Sequence, residues 1–98
     1  MRIEHSSGNV FRDLNFPEAE AENLRVRADL MIMLSKLIRQ RGLTQAQAAK
    51  LLGVTQPRIS ALMRGKIQLF SVDSLMEMLG RGGVRISVSI KSRRGRVA

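Results

Sequence analysis

The sequence predicts a mainly α fold: a bundle of four to five helices followed by one C-terminal β-strand. Three observations predict it. Apolar residues recur at helical spacing through residues 17–80. Ser, Thr, Pro and Gly stand where helices start and stop. Val84, Ile86, Val88 and Ile90 alternate with Arg85, Ser87, Ser89 and Lys91, the period of a half-buried strand. At 98 residues the chain is one domain. A chain this short buries only about 60–65% of its unfolded surface, so association with another chain is an expected support.

Residues 1–16 read as an irregular N-terminal segment with Val10, Phe11, Leu14 and Phe16 as apolar anchors. A first helix is expected to start near Asn15 to Pro17, because a missing N–H costs nothing in a first turn. Glu18, Glu20 and Glu22 then lie near the positive end of the helix dipole. Leu30, Leu34, Leu37 and Ile38 mark its buried face, and Gly42 ends it after Arg39 and Arg41. Thr44 caps a second helix over residues 45–51. Leu52-Gly53-Val54 is a tight turn. Thr55 caps a third helix, with Pro57 in its first turn, that runs to Met63 before Arg64-Gly65-Lys66 breaks it. Ser71 caps a fourth, with Asp73 and Ser74 in its first turn and Val72, Leu75, Met76 and Leu79 apolar. Gly80, Gly82 and Gly83 end it. The strand occupies 84–90 and a basic tail 91–98.

The charge is unevenly placed. Lys and Arg total 17 against 8 Asp and Glu, yet residues 1–23 carry a net −3 and the remainder a net +12. Between Asp29 and Asp73 there is no acid, while Lys36, Arg39, Arg41, Lys50, Arg58, Arg64 and Lys66 are all basic. Such a stretch is either solvated surface or the electrostatic footprint of a polyanion. The aromatic residues are three Phe, which argues against a stacking platform for single strands. Absence of Cys removes disulfides, thiol catalysis and Cys-ligated metal. The apolar run Leu30 to Leu34 is too short to cross a bilayer, and no signal-peptide pattern opens the chain, so a cytoplasmic location and no membrane partner are expected. His5 has only Glu4 beside it, the serines have no His at triad spacing, and Gly80-Arg81-Gly82-Gly83 follows no strand. No metal, no cofactor and no catalytic residue are expected.

Residues 43–66 hold two short helices joined through a glycine. A helix pair crossing at close range needs small residues where it meets, and Ala48 and Ala49 supply them. The bend needs a residue that accepts positive φ, and Gly53 supplies that. Leu52, Val54, Ile59 and Leu62 point inward. This arrangement resembles the helix-turn-helix of the Cro/CI (XRE) family, a lambda-repressor-like bundle whose second helix of the pair enters the major groove. Asn9-Val10-Phe11-Arg12-Asp13-Leu14, the long first helix, Gln56-Pro57-Arg58-Ile59-Ser60, Phe70-Ser71 and the alternating strand together resemble the Hig-type antitoxins, small Cro/CI-fold proteins encoded beside a ribonuclease toxin. That likeness spans residues 8–90.

The resemblance implies a transcriptional repressor, a homodimer on a palindromic operator that represses its own operon and neutralises a ribonuclease toxin; a stand-alone phage-type or cellular regulator is the alternative. It implies that Gln45 anchors on a phosphate, helped by the N–H groups of its helix start. Gln56 suits bidentate pairing with adenine, and Arg58 a guanine or a phosphate. Pro57 suits a thymine methyl, where some relatives carry a hydrogen-bonding residue, and Ser60 lies on the same face. Thr55, Arg64 and Lys66 are expected on flanking phosphates. Lys36, Arg39 and Lys50 are open between phosphate contact and solvated surface.

A single strand leaves its backbone groups unpaired and its apolar side bare. Pairing with the same strand of a second copy solves both, with Val84, Ile86, Val88 and Ile90 at the seam. Pairing with Arg2 to Glu4 or with residues 9–12 of its own chain is the alternative. Glu18, Glu20 and Glu22 serve either the dipole or contact with a basic toxin. A basic face also fits RNA, which competition between duplex DNA and structured RNA separates.

Overall fold

The computed structural model describes residues 17–91, which fold into four α-helices and one short 3-10 turn. Helix α1 spans Pro17–Gln40, α2 Gln45–Leu52, α3 Gln56–Met63, the 3-10 turn Ile67–Leu69 and α4 Val72–Arg81. Expectations that rest on residues 1–16 and 92–98, including strand pairing with Arg2 to Glu4 or residues 9–12, lie outside the described residues.

Each start has a local cause. Thr44 Oγ1 accepts from Gln47 N at 3.1 Å, and Thr44 N donates to Gln47 Oε1 at 2.9 Å. Ser71 and Ser74 form the same reciprocal pair at 3.1 and 3.2 Å. Two orphan donors are satisfied at each helix start, which is what a capping box does. Thr55 differs. Its backbone is extended as a cap requires and its carbonyl accepts from Arg58 N and Ile59 N, but its side chain makes no cap hydrogen bond. Pro57 in the first turn lacks an N–H, so there is less to satisfy.

The core is one cluster. Met31, Leu34, Leu37 and Ile38 of α1 meet Ala48, Ala49 and Leu52 of α2, Ile59 and Leu62 of α3, Phe70, and Leu75, Met78 and Leu79 of α4. No polar side chain is buried among the described residues. Met31 takes the core position expected of Leu30, which is half-buried, and Val54 is half-buried as well. Leu34 and Ile59 are fully enclosed, so truncating either to Ala costs about 2–5 kcal/mol in transfer and cavity energy.

Two features depart from expectation. The chain between α3 and α4 is not a plain break but turns once through the 3-10 turn at Ile67–Leu69. Residues 84–90 form no strand among the described residues, because no second segment offers a ladder partner. Their alternation survives in burial: Val84, Ile86 and Val88 are half-buried while Arg85, Ser87 and Ser89 are exposed. Val84 and Ile86 pack on the chain's own core, and Ile90 stands 56% exposed.

Candidate nucleic-acid interface

Helices α2 and α3 are joined by Gly53, Val54 and Thr55. Gly53 has φ +73° and ψ 32°, its N–H donates to Ala49 O, and Val54 N reaches the same carbonyl at 3.0 Å. This left-handed position is nearly free for glycine and strained for any residue with a Cβ. It turns the chain so that Thr55 opens α3 at once. Ala48 has no exposed surface and Ala49 is buried, which lets the two helices cross closely.

Helix geometry sorts the expected contact residues. At about 100° per residue, Gln56, Pro57, Ser60 and Arg64 share one side of α3, while Ile59 and Leu62 face inward. Gln56, Pro57 and Arg64 are exposed and Ser60 is half-buried. Thr55 is exposed beside Gln56 and its hydroxyl caps nothing. Gln45 is exposed at the first position of α2, next to the Thr44 cap. Lys66 is half-buried, its N–H donating to Ala61 O at 3.1 Å. These residues therefore lie along α3, at its two ends and at the start of α2.

Arg58 is placed differently. It lies about 200° around the helix from Gln56. Its Nη1 donates to Leu69 O at 3.0 Å, and its guanidinium carbon is 4.5 Å from the centre of the Phe70 ring. Phe70 is 2% exposed. Arg58, expected as a groove contact, is thus half-buried and engaged with residues of its own chain. Of the bases left open, Lys36, Arg39 and Lys50 are all exposed. Lys36 belongs to a surface groove of about 260 Å³ between α1 and the end of α4, lined also by Met33, Leu37, Gln40, Arg41, Leu79 and Val84. Arg41 is engaged there, with Nη2 donating to Gly82 O at 2.9 Å.

Sequence reasoning missed the roles of three residues. Gln47 and Ser74 are cap partners, and each was signalled by standing three residues after a Thr or Ser cap. Arg27 of α1 has no such local signal. Its Nε donates to Asn23 Oδ1 at 2.8 Å, and its Nη1 to Ile67 O at 3.2 Å and Phe70 O at 3.4 Å. Two residues earlier on α1, Arg25 is exposed, and its side-chain hydrogen bond to Glu22 raises its pKa above the ordinary arginine value. Among the described residues no three His, Cys, Asp or Glu cluster as metal ligands, and no helix is long and apolar enough to cross a membrane.

A family model described as a helix-turn-helix domain matches residues 10–91. A solved structure described as an XRE family transcriptional regulator is 36% identical, with a TM-score of 0.72, over 81% of this chain and 90% of that one. None of the curated proteins matches.

Proposed function

The chain belongs to the helix-turn-helix domain family and to its XRE-type regulators, and on that premise we propose that it is a sequence-specific repressor. It binds double-stranded DNA as a homodimer, with α3 of each copy in successive major grooves of a palindromic operator. The observation that carries this reading is the outer side of α3: Gln56 and Pro57 stand exposed in its first turn, beside a Thr55 hydroxyl that no cap consumes. Gln56 reads adenine through its amide, and Pro57 meets a thymine methyl. Ser60 is a second, shorter reader. Gln45, Thr55, Arg64 and Lys66 hold phosphates on either side, within a span of 43 residues that has seven basic and no acidic side chains.

The dimer forms through residues 84–90. Val84 and Ile86 already pack on their own core, so Val88 and Ile90 carry most of the seam. The second activity is that of an antitoxin. Glu18, Glu20 and Glu22 lie exposed near the start of α1 with Leu24 beside them, an acidic and apolar end suited to a basic ribonuclease.

A mobility-shift titration with the DNA upstream of the chain's own reading frame tests the first activity: a shift that survives excess unrelated duplex supports it, and one abolished equally by any duplex or by structured RNA rejects it. Co-expression with the product of the adjacent reading frame tests the second. Relief of that product's toxicity supports the antitoxin role; no toxicity and no complex leaves a stand-alone regulator.

A further inference from the structure

We infer that Arg58 is a positioning residue, which aims the first turn of α3 at the DNA by gripping the turn that follows the helix rather than by touching DNA itself. The inference rests on the DNA-reading function above and assigns one of its residues a different task.

Two arginines from different helices converge on residues 67–70. Arg58 Nη1 holds Leu69 O at 3.0 Å, and Arg27 Nη1 reaches Ile67 O at 3.2 Å and Phe70 O at 3.4 Å. Three carbonyls of one short turn are thus held by planar, permanently charged donors. The Arg58 guanidinium also lies over Phe70 at 4.5 Å, within the range where a cation is attracted to a ring face. Phe70 is a core residue, so this contact ties the first turn of α3 to the centre of the domain. Arg58 is two residues from Gln56 but on the other side of the helix. The same turn therefore carries a reading group outward and an anchor inward. Thr55 supplies no side-chain cap to hold this helix start, so the polar contacts of Arg58 add to the core packing of Ile59 in tying it to the domain.

The test uses duplexes recovered by the wild-type chain from a random-sequence double-stranded library, with a scrambled duplex as reference. Affinities are measured for wild type, Arg58→Ala, Gln56→Ala and the double variant across a salt series. Positioning predicts that Arg58→Ala loses roughly tenfold in preference, the scale of one bidentate base contact. In the Gln56→Ala background the same change then costs less than about twofold, because the residue being aimed is gone. The slope of log K against log salt stays at the wild-type value, since no phosphate contact is removed. Additive losses, or a slope reduced by about 0.9, overturn the inference and return Arg58 to the DNA. Phe70→Leu keeps the charge and removes the ring, and carries the same test if Arg58→Ala does not fold. It is expected to lower preference at unchanged slope, and full wild-type preference overturns the inference. If wild type recovers no preferred sequence, the DNA-reading function fails and the inference with it.

Discussion

Replacing Gly53 with Ala probes the bend on which the α3 geometry depends. At φ +73° a residue with a Cβ costs about 1–2 kcal/mol in backbone strain. The added Cβ also comes to 2.9 Å from Arg81 Cδ and 3.0 Å from its Nε and Nη1. Arg81 is a flexible, half-exposed side chain whose ion pair with Glu77 is 3.8 Å long, so it swings aside. Breaking such an exposed i,i+4 pair costs about 0.3–0.5 kcal/mol. The total is roughly 1.5–2.5 kcal/mol, about 1 M in urea midpoint for a small domain. Gly42→Ala is the control, with φ +61° and open space around its Cβ, and should lose only the backbone strain. Urea melts followed by circular dichroism compare the two. Gly53→Ala/Arg81→Ala should fall back to the control value. A Gly53→Ala cost within about 0.5 kcal/mol of wild type, the range of ordinary surface changes, would refute the left-handed bend. A surplus over Gly42→Ala that persists without Arg81 would refute the assignment of the clash.

Thr44→Ala should cost about 1 kcal/mol of stability in urea melts, because its hydroxyl and Gln47 complete a capping box. Thr55→Ala should cost less than about half of that while weakening duplex binding, since its hydroxyl caps nothing. Equal stability losses in the two variants would argue against Thr55 as a phosphate contact. Gln56→Ala should relax preference at one or two base pairs by about 1–3 kcal/mol and leave the melting curve unchanged, read by selection from a randomised duplex pool. Lys66→Ala should instead weaken every duplex alike and reduce the salt slope by about 0.9. The double change Val88→Lys/Ile90→Lys spares the half-buried Val84 and Ile86 and should convert a sedimenting dimer to monomer, whereas an unchanged dimer places its seam elsewhere.

What was legible in the residues was local or periodic. Thr44, Ser71 and Pro57 mark helix starts because caps act over three residues. Leu34, Leu37 and Ile38, with Ala48, Ala49, Leu52, Ile59 and Leu62, reveal the buried faces because helical period alone decides which side chains meet. The exposed side of α3 follows from the same period, since Gln56, Pro57, Ser60 and Arg64 recur on one side of the helix axis. Met31 taking the place expected of Leu30 shows the limit of that reasoning: neighbouring positions both near a buried face are separated only by what packs against them.

The tertiary structure decided what depends on residues far apart in the chain. Arg27 and Arg58 stand 40 and 11 residues from the carbonyls of Ile67 and Leu69 that they hold. No local pattern links an arginine to a carbonyl across that distance, so Arg58 reads from its neighbours as one more basic group on a DNA-facing helix. Its guanidinium lies over Phe70 because the chain after α3 brings Leu69 and Phe70 back to that side of the helix. The segment 84–90 shows the converse. Its alternation is written in the residues, but a ladder needs a second strand. Side-chain period is a property of one segment, whereas hydrogen-bond pairing is a property of two.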